Sequence, residues 1–116
     1  MKKTLSLLFV LASLGIPTLA RADPIEGRWK MPSGNDATIA PCGFDFCLTY
    51  VNGPLKGKRF GKMSASGIGS YEGTVTDYTR NGREFSGKGK LSGDTLSVSG
   101  CVLGGLICRS QELKRI

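Results

Sequence analysis

The sequence predicts an all-β domain, a small antiparallel barrel or closed sandwich of about eight strands. Three observations point there. After Asp23, apolar and polar residues alternate over short runs, and no stretch carries helical spacing. Glycine and asparagine punctuate those runs, with Asn81-Gly82 and Gly104-Gly105 as hairpin signals, because positive φ matches the twist of paired strands. Finally, 4 cysteines and no histidine suit a chain braced by disulfides.

Residues 1–22 read as a cleaved secretory signal. Lys2 and Lys3 give a positive start, Leu5 to Ile16 an apolar run, and Ala20-Arg21-Ala22 the small residues that a signal peptidase reads. The run is about a dozen residues, and a membrane span needs roughly 20. Cleavage after Ala22 leaves one domain, 23–116, free in the periplasm with no transmembrane anchor. The precursor has 16 Lys and Arg against 9 Asp and Glu; losing Lys2, Lys3 and Arg21 leaves 13 against 9, a net of +4. This mild basicity suits an anionic envelope component as partner. An exported chain without an arginine-rich stripe is not expected to bind nucleic acid.

Strands are expected near 27–31, 36–42, 47–52, 58–63, 69–79, 83–91, 94–103 and 106–116, with Ser64 to Gly67 among the separators. Alternation sets the faces. Phe85, Gly87, Gly89 and Leu91 point inward, as do Leu96, Val98, Gly100 and Val102. On the last strand Ile107, Arg109, Leu113 and Arg115 share a face, opposite Cys108, Ser110, Glu112 and Lys114.

Four cysteines allow three pairings. A two-residue turn at Gly104-Gly105 sets Val102 opposite Ile107 and Cys101 opposite Cys108, in a wide, hydrogen-bonded pair. Placing Cys42 opposite Cys47 sets Ile39 opposite Tyr50 and Pro41 opposite Leu48, all on one face. The expected disulfides are therefore Cys42–Cys47 and Cys101–Cys108, each local to one hairpin and on the outer face. Neither spacing is C-x-x-C, so structural staples are favoured over metal or redox roles.

The mature region resembles a bacterial family of exported proteins catalogued as domain of unknown function 2147. The resemblance rests on Gly27-Arg28-Trp29, on Ile39-Ala40-Pro41-Cys42-Gly43 followed by Cys47, on Tyr71-Glu72-Gly73 with Asp77, and on Gly82 to Phe85. Its most specific part is Leu96-Ser97-Val98-Ser99-Gly100-Cys101-Val102-Leu103-Gly104, then Cys108-Arg109-Ser110-Gln111 and Arg115. The chain departs from the pattern at Leu113, where the family usually has tryptophan, at Tyr71, and in a shorter 53–68 stretch. The family has no established activity, so the resemblance implies compartment and fold. More loosely, G-x-W on a first strand and an arginine on the last resemble lipocalin-like barrels. That likeness implies a structural pair, Arg115 lying across Trp29 to close one barrel end.

No catalytic residue is expected. Without histidine, Ser-His-Asp and Cys-His machinery and the usual zinc sites are excluded. Asp36, Asp45, Glu72, Asp77 and Glu84 are scattered, whereas a hydrolase needs two carboxyl groups at fixed separation. No cofactor or metal is expected. The leading expectation is a non-enzymatic binding or accessory protein for a small apolar or amphipathic ligand held in the barrel mouth. The alternative is an envelope interaction module. It would use Phe44 and Phe46, at the tip of the first cysteine hairpin, and the basic cluster Lys56, Lys58, Arg59 and Lys62 around Phe60. The plainer reading is that the phenylalanines fold back into the barrel mouth and the cations protect an edge strand. Arg80, Arg83, Lys88 and Lys90 read as a solvated outer face.

Overall fold

The computed structural model describes residues 23–116; the signal-peptide reading lies outside the described residues. Eight antiparallel strands close into one barrel, each paired with its neighbour in sequence: β1 (Gly27–Lys30), β2 (Asp36–Cys42), β3 (Asp45–Tyr50), β4 (Arg59–Gly67), β5 (Ser70–Asp77), β6 (Arg83–Ser92), β7 (Thr95–Val102) and β8 (Ile107–Arg115). Among the described residues no helix is long and apolar enough to cross a membrane.

The alternating faces are as the sequence implied. Trp29, Ala37, Ile39, Leu48, Phe60, Met63, Tyr71, Leu96, Val98 and Leu113 form one buried cluster. Ser64 to Gly67, expected as a separator, continues β4 instead. Ser64 and Ala65 pair with Glu72 and Tyr71, and the turn falls at Ile68-Gly69. Small polar residues read locally as a turn, but the β5 ladder holds them extended.

Both expected disulfides form, Cys42–Cys47 and Cys101–Cys108. The hairpins that carry them differ from expectation in opposite ways. In the first, Cys42 faces Asp45, Ile39 faces Leu48 and Pro41 faces Phe46, a shift of two residues. The turn is only Gly43-Phe44, with Gly43 at φ 74, so the disulfide runs diagonally across the ladder. A two-residue shift preserves which side faces inward, which is why the faces stand while the partners change. In the second, Cys101 does face Cys108, but the connection is four residues, Leu103 to Leu106. The hydrogen bond from Arg115 N–H to Asp94 O fixes the ladder's phase. Cys101 and Cys108 are accordingly a non-hydrogen-bonded pair with Cα atoms 4.1 Å apart, the narrow position, not the wide one expected.

Chain direction sorts the connections to two barrel ends. Residues 23–26, the turns 43–44, 68–69 and 93–94, and Ile116 share one end; the connections 31–35, 51–58, 78–82 and 103–106 share the other.

Candidate functional site

The first end is closed by residues 23–26, which lead into β1. Ile25 is fully buried there, and the Trp29 indole Nε1–H donates to its carbonyl at 3.0 Å. Arg115 lies over the Trp29 ring, 4.3 Å from its centroid. Its guanidinium donates to the carbonyls of Pro24 and Glu26 and meets Asp94 at 3.3 Å. Gly27 makes room for this: its φ is 134, and a Cβ there would stand 3.2 Å from Arg115 Nη1. Tyr71 O–H donates to Asp23 at 2.6 Å. Burial, then that hydrogen bond and the Asp23 charge, push the Tyr71 hydroxyl above its ordinary range. Trp29 and Arg115 thus stack as the loose architectural likeness implied.

The second end is open. A cavity of about 560 Å³ lies inside it. Its inner wall comes from Phe60, Val75, Phe85, Val98 and Ile107, with Tyr50 against Phe60, ring centroids 4.5 Å apart. Gly100 belongs to this wall, and a Cβ there would come within 2.9 Å of Val75 Cγ2, so glycine keeps β5 and β7 close at the cavity floor. The polar groups include Arg109, Ser110 and Gln111 on β8, Thr76 on β5 and the segment Asp77 to Arg80. Asp77 accepts from the Thr79 hydroxyl and N–H and pairs with Arg80 at 3.5 Å. Those bonds, with the Arg80 and Arg109 charges, hold its carboxyl below the usual range. Burial, with Tyr78 and Asp77 nearby, pushes the Tyr50 hydroxyl up. Among the described residues, no carboxylate lies within ion-pair distance of Arg109. A smaller depression of about 260 Å³, lined by Ser70, Glu72, Lys88 and Ser99 among others, lies elsewhere on the barrel.

The residues singled out from sequence are divided between the two ends. Phe44 is fully exposed at the tip of the β2–β3 turn on the closed end. Phe46 points inward and packs edge-on against Tyr71, centroids 6.1 Å apart. Lys56 and Lys58 belong to the 51–58 connection at the open end, with Lys58 Nζ 5.6 Å from the Tyr78 ring centroid. Arg59 begins β4 and gives its carbonyl to the Tyr78 hydroxyl. Phe60 is buried in the cavity wall, and Lys62 pairs with Asp45 at 3.8 Å. Phe44 and the 56–58 lysines therefore do not share one surface.

Arg109 was the residue sequence reasoning passed over as a site. The signal was its place on the inward face of β8, which the structure turns to the open end, where Arg109 is exposed beside the cavity. The scattered carboxylates stay scattered. Asp36 is tied to Arg28 and Lys30, Asp45 to Lys62 and Asp77 to Arg80. Among the described residues no cluster of three metal-ligating side chains occurs. No protein-family model, curated protein or solved structure matches the chain.

Proposed function

We propose that this is an exported, non-enzymatic binding protein of the periplasm, a lipocalin-like barrel that carries a small amphipathic molecule in its open end. Its place in the family of domain of unknown function 2147 is part of the same proposal and rests on the G-C-V-L-G and C-R-S-Q strings. The observation that carries the reading is the cavity: about 560 Å³, walled by aromatic and aliphatic side chains, with Arg109 presented to it without a carboxylate partner among the described residues. That volume is within the range of small-molecule sites, which combine apolar walls with a few placed polar groups. The apolar part of the ligand lies against Phe60, Phe85 and Val98, and its polar end faces Arg109 and Gln111.

Titration calorimetry with dodecanoate and with dodecanol tests this. Dodecanoate should bind the native protein, and Arg109→Gln should weaken it by about tenfold, the loss of one charge-assisted contact. Dodecanol affinity should change little. Failure of both probes to bind, together with native mass spectra free of co-purified ligand, would overturn the reading.

A further inference from the structure

β8 lives in two environments. At its end it is paired on both sides: Trp29 faces Arg115, Lys30 faces Lys114, and Ile116 N–H donates to Arg28 O at 3.1 Å. Before Lys114 it is paired on one side only. Pro32 is the reason. It follows Met31 at the point where β1 turns back, and it has no N–H with which to continue the ladder toward Glu112. The phase set by Arg115 and Asp94 turns the backbone of Ile107, Arg109, Gln111 and Leu113 toward β7. The N–H and C=O groups of Cys108, Ser110 and Glu112 then face the opposite edge, and no described residue pairs with them. Ile107 to Glu112 are exposed on both faces, so nothing covers this edge.

We infer that this edge is a docking surface for a second copy of the chain, the two β8 strands pairing antiparallel about a two-fold axis at Ser110. Strand addition needs an exposed row of unpaired backbone groups, and this edge supplies three donors and three acceptors from Cys108, Ser110 and Glu112. The edge is self-complementary in that one register. Ser110 meets Ser110 of the second copy, Cys108 meets Glu112, and every free N–H finds a free C=O. The charges agree. Arg109, the cation of this edge, meets Gln111 of the second copy and not its own counterpart, and Glu112 meets the disulfide-bonded Cys108. Like charges, the usual protection of an edge, are not opposed. A shift of two residues in one direction would call on Lys114, whose groups are spent on Lys30.

Sedimentation equilibrium of the mature chain, with Ser110→Pro beside it, tests the inference. The native chain should show a monomer–dimer equilibrium. Ser110→Pro removes the central donor and, with the side chain, the hydroxyl contact to Ser99, while leaving the backbone ladder to β7 in place, and it should weaken the dimer by about tenfold or more, because the bond is lost twice. Far-ultraviolet circular dichroism should show the variant folded. Amide exchange of the native protein gives a reading independent of that variant. The amides of Cys108, Ser110 and Glu112 should become slower as concentration rises through the dimer range, while the rest of β8 stays unchanged. A native chain that is monomeric at every concentration overturns the inference, as does a dimer that Ser110→Pro leaves intact or one whose formation leaves those three amides unprotected.

Discussion

The two halves of β8 differ in burial and in pairing. Leu113 is fully buried and Arg115 spans Trp29, two backbone carbonyls and Asp94. A few residues earlier Ile107 is 55% exposed, and Arg109 and Gln111 look into a cavity. One strand with one alternation thus serves a sealed end and an open one. The difference does not lie in β8. It lies in what the neighbouring strand offers: β1 is four residues long and stops before Pro32. The sealed end is held by side chains that interlock. The open end keeps its shape through a covalent clamp, Cys101–Cys108, at the root of an exposed apolar turn, Leu103 and Leu106.

The largest expected effect is at the sealed end. Trp29→Ala removes a fully buried indole that packs on Arg115 and holds Ile25, and it should cost about 3–5 kcal/mol in urea unfolding. At the open end the corresponding loss is the clamp. Replacing Cys101 and Cys108 together by serine should cost about 2–2.5 kcal/mol, the closure entropy of so short a loop. The contrast predicts where each loss is felt. Amide exchange should accelerate throughout the barrel for Trp29→Ala, but chiefly in β7 and β8 near the turn for the serine pair.

A matched pair of arginines sharpens the comparison. Arg115→Ala should destabilise by about 1–2 kcal/mol, through the lost ring contact and its hydrogen bonds. Arg109→Ala should change stability by less than about 0.5 kcal/mol, because among the described residues it makes no ion pair and reaches Asp77 only through a longer-range charge effect. Equal effects would erase the distinction between a structural and a ligand-facing cation.

A further effect at the sealed end is titratable. The Tyr71 hydroxyl is held above its ordinary 10.0. A group whose folded-state value is raised stabilises fully below the unfolded value and loses that contribution as pH climbs past it. Stability should therefore fall above about pH 10 as the unfolded chain ionises first. Tyr71→Phe should cost about 1 kcal/mol at neutral pH and flatten that alkaline slope. A slope unchanged in Tyr71→Phe would place its source elsewhere.

Alternation and turn residues were enough to read the barrel, its faces and the two disulfides. They were not enough to read the hairpins. Gly43-Phe44-Asp45-Phe46 looks like a four-residue tip, yet Asp45 and Phe46 join β3; Gly104-Gly105 looks like a two-residue turn, yet Leu103 and Leu106 leave the ladder as well. The first hairpin is shifted by two residues and the second keeps its register while changing its hydrogen-bond phase; neither alters a face, so the pattern of apolar residues cannot detect them. The closed end was legible because Trp29 and Arg115 are conspicuous on the first and last strands. The cavity was not, because its lining is assembled from six strands, β3 to β8, and two of the connections between them. By its local chemistry Pro32 is simply a turn residue. Its consequence, an unpaired edge most of a chain length away, is a property of the closed sheet.

The asymmetry along β8 has a direct measurement: residue-by-residue amide exchange of the native protein, dilute enough to be monomeric. The amides of Arg109, Gln111 and Leu113 donate to β7 and should be protected; those of Cys108, Ser110 and Glu112 should exchange close to the unfolded rate. Lys114 and Arg115, inside the β1 seam, should both be protected. That switch from alternating to continuous protection at Leu113 is the expected result. Uniform protection from Cys108 to Arg115 in the monomer would contradict it, since the barrel would then be sealed along its whole length.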